Sequence, residues 1–351
     1  MKSLELENVC KKFGEAVAVT DMSMHILTGE LVSLLGPSGC GKTTTLRMVA
    51  GFVEPSSGSI RINGRDVTKL APYERNTALV FQSYALFPHM TVAQNVGFGL
   101  EMRKVGKAER EEKSIEALKR VRLDHLSDRY PRQLSGGQQQ RAALARGLVL
   151  NPDIFLLDEP LSNLDAKLRG EVRSEIRGLQ QSLELTTLMV THDQEEALTM
   201  SDKLVLMEAG SVRQSGTAQD LYEQPADAFV ADFVGRSNVI KGRIEDGKFR
   251  TTDGTFMPTL PGAVADAQYY TLRPEKISLS REGEGEGEGV EGTLLERLYL
   301  GAQTEYTVRV GETSISVVTA TPGPDDMRAG LRVGDAVRLA WDVASVRLLN
   351  N

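Results

Sequence analysis

The chain contains very little cysteine, with only Cys10 and Cys40 among its 351 residues. Two cysteines so far apart provide neither a disulfide framework nor a metal site, and their scarcity indicates a reducing cytoplasm. Long apolar runs are also missing, because no segment approaches the ~18 uninterrupted apolar residues of a membrane span. The opening MKSLELENVC is charged and alternating, which does not fit a secretory signal. If the protein works at a membrane, we expect another subunit to span it.

An excess of basic residues is absent as well. The 41 Lys and Arg residues are outnumbered by 48 Asp and Glu residues, which gives a formal net charge of -7. Domains that bind nucleic acid are usually basic, so no nucleic-acid partner is expected. The hydrophobic content of 40% and the charged content of 25% are ordinary for a soluble globular protein. The length predicts about two domains.

Residues 1–235 have the pattern of an α/β domain. Alternating segments at the start predict antiparallel strands, and the continuous apolar runs LVSLLG, IFLLD and TTLMV predict buried parallel strands. Residues 102–125 are charged with helical spacing and predict a solvent-facing helical insert. The alternation of helices and apolar strands favours a parallel sheet covered on both faces.

The pattern changes near residues 233–243. From there to residue 351, short alternating segments separated by Gly and Pro predict a small all-β barrel or sandwich. The acidic repeat EGEGEGEG at 282–289 is of low complexity. We interpret it as a solvated, disordered loop rather than as an acidic ligand site.

The segment GPSGCGKT at 36–43 matches the phosphate-binding pattern G-x-x-x-x-G-K-[ST] in full. It stands between an apolar strand and a helical pattern, where its backbone N–H groups can face phosphates at a helix N-terminus. Lys42 is expected to reach the β- and γ-phosphates, and the Thr43 hydroxyl to bind Mg²⁺. We interpret Cys40 as a small filler of the loop rather than a redox switch. The residues expected to bind the nucleotide are Phe13, Gly36, Pro37, Ser38, Gly39, Cys40, Gly41, Lys42, Thr43 and Thr44.

Phe13 has two interpretations on residue type alone. It could stack on an adenine ring, as aromatic side chains do on bases, or it could belong to the core. The sequence leaves both open.

Polar side chains follow three of the apolar strands. Asp158 and Glu159 end the run FLLDEP, at the strand end where open α/β sheets bind ligands. Asp158 is expected to hold the metal shell and Glu159 to orient the attacking water, although two acids could also merely cap a strand. Taken alone, Gln82 would be polar surface and His192 a structural histidine. Beside the other strand ends, Gln82 is expected to contact Mg²⁺ or water, and His192 the γ-phosphate.

The segment LSGGQ at 134–138 precedes another helical pattern. Ser135 and the backbone of Gly136 and Gly137 could form a second anion site at a helix N-terminus. Alone, a serine-capped helix start is the simpler interpretation. A second phosphate-facing element in one domain suggests that a nucleotide is held from two sides by two copies.

Taken together, these motifs resemble the ATP-binding cassette ATPases. The loop at 36–43, Gln82, LSGGQ, Asp158–Glu159, SNLD at 162–165 and His192 occur in the order and approximate spacing of that family. The whole chain is similar to the importer ATPases of the maltose, ferric-iron and polyamine group. The segments 271–279 and 294–308 resemble the β domain that follows the cassette in that group. The acidic repeat departs from its pattern.

This resemblance implies a P-loop NTPase fold of class α/β. The nucleotide-binding domain, 1–235, would contain a RecA-like core sheet, an antiparallel β subdomain and a helical subdomain at about 89–156. Residues 236–351 would form an OB-like, TOBE-type β domain with a regulatory or dimerisation role. The implied activity is ATP hydrolysis coupled to transport, with ATP and Mg²⁺ bound.

The resemblance also implies that two cassettes meet head to tail, the partner being a second copy of this chain. ATP would lie between the Lys42 loop of one copy and the signature segment of the other, with SNLD across the dimer seam. The residues expected to act in trans are Leu134, Ser135, Gly136, Gly137, Gln138 and Asp165.

Two membrane-spanning permease subunits are the further partners that the resemblance implies, with a solute-binding protein contacted indirectly. A coupling helix of the permease would enter a groove near Tyr84, Ala85, Leu86 and Phe87. The chain would then lie peripherally on the cytoplasmic face of the inner membrane. A polyamine-like solute is favoured, with ferric iron, phosphonates, opines or sugars as alternatives. A non-transport cassette ATPase of DNA repair or translation is the alternative from another class.

Overall fold

The computed structural model describes residues 2–259, 266–283 and 289–350. The chain forms two compact units that divide between Ala218 and Gln219. The boundary expected from the sequence lies between residues 235 and 236. In the structure, residues 219–235 belong instead to the second unit. Residues 284–288 of the acidic repeat lie outside the described residues, and with them most of its expected loop.

The first unit alternates strands and helices in the order that the sequence predicts. Its strands are β1 (Lys2–Phe13), β2 (Ala16–Leu27), β3 (Leu31–Leu35), β4 (Ser57–Ile62), β5 (Arg65–Asp66), β6 (Thr77–Val80), β7 (Ile154–Asp158), β8 (Thr187–Val190), β9 (Lys203–Glu208) and β10 (Ser211–Gly216). Its helices are α1 (Lys42–Ala50), α2 (Val92–Met102), α3 (Lys107–Arg120), α4 (Gly136–Leu148), α5 (Ala166–Ser182) and α6 (Gln194–Met200).

An antiparallel sheet of order β2-β1-β4-β5 forms the start of the unit. Its long strands β1 and β2 alternate buried apolar and exposed positions over much of their length, as half-buried strands do. Leu4 and Ile26 face each other across the pair, and both are buried. The antiparallel strands expected at the N-terminus are confirmed.

The central sheet has the order β10-β9-β3-β8-β7-β6, and its pairings are parallel except for the β9–β10 hairpin. Every residue of β3, β7 and β8 is buried, which explains why these strands read as continuous apolar runs. Because the strands are parallel, the residues that follow β3, β6, β7 and β8 meet at one edge of the sheet. The predicted site residues 36–43, Gln82, Asp158–Glu159 and His192 all lie at this edge.

Helices α2, α3 and α4 lie within residues 89–156, where a helical subdomain is expected. Their buried faces join one apolar cluster with β6 and β7, through Val96, Leu118 and Leu144. A second cluster lies between the antiparallel sheet and the central sheet and includes Leu6 and Leu34. The α/β class is confirmed.

The second unit is mostly β structure. Its first helices are α7 (Ala218–Glu223), which starts at the last residue of the first unit, and α8 (Ala228–Phe233). Its strands are β11 (Asn238–Glu245), β12 (Lys248–Thr251), β13 (Phe256–Met257), β14 (Tyr269–Leu272), β15 (Ser278–Arg281), β16 (Gly289–Tyr299), β17 (Gln303–Val310), β18 (Thr313–Ala320), β19 (Ala336–Ala340) and β20 (Arg347–Leu349).

These strands form two sheets, of order β13-β12-β11-β14-β20 and β15-β19-β16-β17-β18. Their shared core contains large aromatic side chains, and Trp341 Nε1 donates to Tyr270 Oη at 2.8 Å. The expected all-β domain is confirmed.

Arg273 accounts for the inclusion of residues 219–235 in the second unit. Its buried guanidinium donates to the carbonyl oxygens of Tyr222 at 2.7 Å and of Ala231 and Val234 at 2.9 Å. One arginine next to β14 therefore holds the segment that contains α7 and α8.

Candidate functional site

A cavity of about 300 Å³ lies around the phosphate loop, between β3 and the N-terminus of α1. Gly36 and Gly41 both have positive φ, and an added Cβ would lie 2.2 Å from the Met207 oxygen or 2.5 Å from the Ala18 oxygen. Both positions therefore require glycine. The described residues that line the cavity are Ala18, Ser38, Gly39, Gly41, Lys42, Thr43, Thr44, Glu159 and His192.

Lys42 is only 6% exposed, and its ammonium group is held within the loop. Nζ donates to the carbonyl oxygens of Gly36 at 2.7 Å and Pro37 at 2.8 Å, and it lies 3.6 Å from the buried Cys40 Sγ. The Gly210 amide of the β9–β10 turn donates to Cys40 O at 3.2 Å and supports the loop from behind. A single positive charge is thus held by carbonyl oxygens of the loop, and the N-terminus of α1 begins at the same residue.

Glu159 contacts two other predicted site residues at the sheet edge. Gln82 Nε2 donates to Glu159 Oε2 at 2.8 Å, and His192 Nδ1 lies 3.2 Å from Glu159 Oε1. Glu159 and His192 also line the cavity next to Lys42. The structure therefore brings one carboxylate, one amide and one imidazole to the mouth of the phosphate loop.

The turn after β7 fixes the direction of Glu159. Its φ of 47° is left-handed, which is uncommon for a residue other than glycine. The Glu159 amide donates to Val190 O at 2.9 Å, and Ser162 Oγ donates to Glu159 O at 3.0 Å. Asn163 Nδ2 donates to Gln82 O at 2.7 Å, so the segment 162–165 also supports the glutamine.

Asp158, the last residue of β7, is buried and has a different environment from its neighbour. Burial raises the pKa of its carboxyl above the ordinary value, against the opposing attraction of Arg47 and with a further rise from Glu159. Among the described residues no side chain donates a hydrogen bond to it. A buried carboxylate in this environment suits a cation. The described part of the chain has no group of three or more His, Cys, Asp or Glu that could hold a metal ion.

Phe13, at the end of β1, is 52% exposed. Lys11 Nζ lies 4.9 Å from the centre of its ring. The core interpretation of Phe13 is therefore wrong, and stacking on a base stays a prediction.

The signature segment forms a capped helix start. Ser135 is the N-cap of α4: its Oγ accepts from the Gln138 amide at 3.4 Å, and its amide donates to Gln138 Oε1 at 2.9 Å. Ser135 and Gly136 are exposed, while Leu134 and Gly137 are buried. None of residues 134–138 is among the described residues that line the phosphate-loop cavity. A role in trans therefore stays a prediction.

Asp165 has a similar local role, because its Oδ1 accepts from the Leu168 amide at 3.0 Å and caps α5. A cap at this position is also compatible with a contact to a second chain, since the residue is exposed. That contact stays a prediction.

An open cavity of about 540 Å³ lies beside the segment Tyr84–Phe87. Tyr84 and Ala85 have positive φ, and the Arg146 guanidinium donates to their carbonyl oxygens at 2.8 and 2.6 Å. Oδ1 of the buried Asn95 accepts a hydrogen bond from the Phe87 amide at 2.7 Å, and Asn95 Nδ2 donates to the Phe87 carbonyl oxygen at 3.1 Å. The described residues that line the cavity are Ala50, Phe52, Pro72, Tyr73, Thr77, Ala78, Leu79, Phe81, Ala85, Phe87, Phe98, Gly99, Arg146, Gly147 and Leu150.

Several residues that shape these sites were not identified from the sequence. Ala18 lines the phosphate cavity, Arg47 acts on Asp158, and Asn95 and Arg146 hold the groove segment. Each acts through a contact that depends on tertiary structure. Only Asn95 carried a sequence signal, as a polar residue on the apolar face of a helical pattern.

A phosphate loop after one buried parallel strand, and two acids at the end of another strand of the same sheet, define a nucleotide-hydrolysing enzyme of the P-loop class. Residues 19–162 match the family described as ABC transporter, and residues 270–349 match the TOBE domain. The chain belongs to the ATP-binding cassette transporter ATPases, in the group of import ATP-binding proteins that carry a TOBE domain. ATP hydrolysis is the activity of this family.

Two relatives illustrate this group. The Fe(3+) ions import ATP-binding protein FbpC of Rhizobium etli is 49% identical over 317 residues, which cover 89% of this chain and 89% of the relative. The spermidine/putrescine import ATP-binding protein PotA of Rubrobacter xylanophilus is 45% identical over 357 residues, which cover 99% of this chain and 93% of the relative. The TOBE-type importer group expected from the motifs is confirmed.

Solved cassettes resemble the first part of the chain. A dimeric ATP-binding cassette in a post-hydrolysis state, bound to ADP and Pi, is 32% identical with a TM-score of 0.54, and the match covers 61% of this chain and 98% of that one. A nucleotide-free cassette from an ABC transporter is 25% identical with a TM-score of 0.60, covering 66% of this chain and 98% of that one.

Proposed function

We propose that this chain is the ATP-hydrolysing subunit of a bacterial importer. The observation that carries the proposal is Glu159, which lies between Gln82 and His192 at the mouth of the Lys42 loop. Phosphoryl transfer to water needs a positioned nucleophile and stabilisation of charge at the γ-phosphate. Glu159 is suited to positioning the water, and Lys42 is suited to stabilising the charge.

Each residue has a role that follows from its chemistry. The Glu159 carboxylate accepts a proton from the attacking water and orients it, while Gln82 holds the carboxylate in place. Lys42 and the loop N–H groups neutralise the β- and γ-phosphates. His192 donates a hydrogen bond to the γ-phosphate, and its contact with Glu159 places both groups on the same side of the site.

The residues also fit Mg²⁺. Thr43, Gln82 and Asp158 would hold the ion together with phosphate oxygens, because Mg²⁺ usually takes only one or two carboxylates from the protein. Burial raises the pKa of Asp158, and a cation beside it would favour the ionised form of this carboxyl. When bound, the ion would supply positive charge that offsets the charge on the phosphates.

A second copy completes the site in this proposal. Ser135, Gly136 and Gly137 are exposed or lie at the start of α4, where the N–H groups suit a phosphate. They do not line the Lys42 cavity of their own chain, so they would serve the nucleotide of the partner. The similarity to a cassette solved as a dimer with ADP and Pi supports this arrangement.

The permease subunits would dock in the groove beside Tyr84–Phe87. Its lining is largely aromatic and aliphatic, and Phe52 and Tyr73 are exposed at its edge. An amphipathic helix that lays its apolar face into such a groove is a common mode of recognition. No helix in the described part of the chain is long and apolar enough to cross a membrane. We propose that the protein lies on the cytoplasmic face of the inner membrane, attached through its permease partners.

The transported solute is proposed to be a polyamine-like cation. Spermidine, putrescine and Fe(3+) are the solutes in the names of the two relatives above, and all are cationic. The choice between them rests with the permease and the solute-binding protein, which contact the solute. A ligand screen on the associated binding protein separates the polyamines from ferric iron, phosphonates, opines and sugars.

The Glu159→Gln variant tests the proposed chemistry. It keeps the size of the side chain but cannot accept the proton of water, so turnover of the assembled transporter should fall by about 10²–10⁴-fold. ATP binding and ATP-dependent dimerisation should persist. Glu195→Gln is the control, because that glutamate on α6 is 74% exposed and its carboxylate forms an ion pair with no described residue except Arg173. Near-normal turnover in Glu159→Gln would remove this residue from the mechanism.

A further inference from the structure

His192 is flanked by Thr191 and Asp193, and both are hydrogen-bonded to Glu196. Thr191 Oγ1 donates to Glu196 Oε2 at 2.7 Å and accepts from the Asp193 amide at 3.0 Å. The Glu196 amide donates to Asp193 Oδ1 at 3.2 Å. The side chain of His192 is itself 58% exposed, so its position depends on this backbone turn and on Glu159.

Arg169 links that turn to the segment 162–165. Its Nη1 donates to Asp193 Oδ2 at 3.1 Å, and its Nη2 donates to Leu164 O at 3.3 Å. Its Nε lies 3.9 Å from Glu196 Oε1. One guanidinium therefore contacts the backbone next to Asp165 and both carboxylates that surround His192.

The charge balance makes this link costly to break. Glu196 is 3% exposed, and a carboxylate at that depth is stable only with hydrogen bonds and an opposite charge nearby. Burial raises the pKa of Glu196 and Asp193 adds to the rise, whereas the Thr191 hydrogen bond, Arg169 and His192 lower it. If Arg169 moved away, Glu196 would lose its nearest cation.

We propose that Arg169 is a positioning residue that makes the placement of His192 depend on the segment 162–165. The inference rests on the proposed function, in which this segment lies at the seam between two copies. A shift of the segment when the copies close would move the Leu164 carbonyl. Arg169 would then transmit that shift to Thr191, Asp193 and the histidine between them.

An ordinary ion pair between α5 and α6 is the competing explanation, and the chain contains a matched example of it. Arg173 lies one turn further along α5 and binds Glu195 Oε1 of α6 at 2.8 Å. This pair joins the same two helices, but it contacts neither the turn at His192 nor the segment 162–165. Arg173→Gln therefore separates helix packing from positioning.

Imidazole NMR of the full chain labelled with ¹⁵N-histidine tests the inference without relying on activity. The chain has 4 histidines, and His192→Ala assigns the relevant signal. Arg169→Gln should shift or broaden the His192 signal and leave the other histidines unchanged, while Arg173→Gln should leave all of them unchanged. An unchanged His192 signal in Arg169→Gln would overturn the proposal, and so would an equal change in both variants.

Turnover gives a second readout in the assembled transporter. Arg169→Gln should lower kcat by about 10- to 100-fold with the Kd for ATP altered less than about 2-fold, because small displacements of a catalytic group have effects of this size. If Arg169→Gln folds poorly, Glu196→Gln replaces it as the test. That variant keeps the shape of the buried side chain and should also lower kcat. Normal kcat in both variants would contradict the inference. Absence of ATPase activity in the wild-type protein would instead contradict the proposed function, and the NMR result would still decide the role of Arg169.

Discussion

At the scale of single residues, Asp158 and Glu159 are adjacent carboxylates in unlike environments. Asp158 ends a fully buried strand, and burial raises the pKa of its carboxyl. Glu159 turns away through a left-handed backbone and meets Gln82 and His192. Uncommon backbone conformations of this kind often occur at functional sites. The turn thus separates a position suited to a cation from one suited to water.

This environment predicts that Asp158→Asn stabilises the isolated protein at neutral pH. The pKa of Asp158 in the folded protein lies above its ordinary value of 3.8. The carboxyl therefore contributes stability below pH 3.8, and this contribution is lost as the pH rises through the folded-state pKa. The gain in Tm of the variant should therefore be present near about pH 7.5 and shrink toward about pH 4.5, measured by thermal unfolding with EDTA and without nucleotide.

Asp66→Asn is the control of opposite sign. Hydrogen bonds from Thr68 lower the pKa of Asp66. Its carboxylate therefore stabilises the folded protein above pH 3.8, and this contribution is lost as the pH falls through the folded-state pKa. Asp66→Asn should therefore have a lower Tm than the wild-type protein at neutral pH. A lower Tm for Asp158→Asn at neutral pH would show that the buried carboxylate has a stabilising partner.

The sequence predicted these site residues because their chemistry is local. The phosphate loop and the acids after β7 are contiguous segments, and each follows an apolar run that marks a strand. Arg47 escaped prediction because it acts on a residue distant in the chain. Asn163 belongs to the SNLD motif, but its contact with the distant Gln82 was not predicted. Arg169 escaped for the same reason, since a basic residue on a charged helix has no periodic signal of burial.

At the scale of elements, α1 is fixed at both ends. Its N-terminus carries the phosphate loop, and its C-terminal carbonyls at Met48 and Val49 accept from Arg75 Nη1 at 2.6 and 3.0 Å. Arg75 also donates to Leu70 O at 2.8 Å and Thr68 O at 3.0 Å, and it is only 3% exposed. A Cβ at Gly51 would lie 2.6 Å from Arg75 Nε, so the glycine leaves room for the guanidinium.

Arg75→Met should therefore lower the free energy of unfolding by about 2–4 kcal/mol, because it leaves buried carbonyl groups without a donor. Chemical denaturation of the full chain measures this change. Arg61→Met is the control: Arg61 forms an exposed pair with Glu7 at 3.3 Å, and its loss should change stability by about 0.5 kcal/mol or less. Equal effects of the two substitutions would contradict the assigned role of Arg75.

Elements were predicted where burial produces a clear pattern. Strands β3, β7 and β8 are buried on both faces and appear as apolar runs. Strand β11 has a weaker local pattern, because NVIKGRIE mixes charged and apolar residues without strict alternation. Its pairing with β12 and β14 stabilises it instead, and pairing across the chain is not visible in a local pattern.

At the scale of the whole molecule, the apolar cores are separate. Two clusters belong to residues 4–207, and a third belongs to residues 240–348. A unit with its own core can fold alone. The position of the boundary also matters, because buried Val230 and Val234 of the segment 219–235 belong to the second unit.

A chain that ends at Ala218 should therefore fold and bind ATP. A chain that ends at residue 235 should be less soluble, since it exposes apolar residues that the second unit otherwise buries. ATP at a concentration of about 100 times Kd should raise the unfolding free energy of the shorter chain by about 2.7 kcal/mol. Folding of the longer fragment alone would favour the boundary expected from the sequence.

The central claim is that ATP is held between two copies of the chain, and a heterodimer tests it most directly. A Ser135→Arg chain paired with a Lys42→Ala chain retains one site in which the Lys42 loop and Ser135 are both intact. The double variant paired with a wild-type chain contains the same substitutions but retains no intact site. Each heterodimer is isolated through two different affinity tags and assembled with the permease.

The measurement is ATP turnover per heterodimer. We predict activity well above background in the first heterodimer and background activity in the second. Equal activity in the two, with both heterodimers shown to form, would contradict the two-sided site.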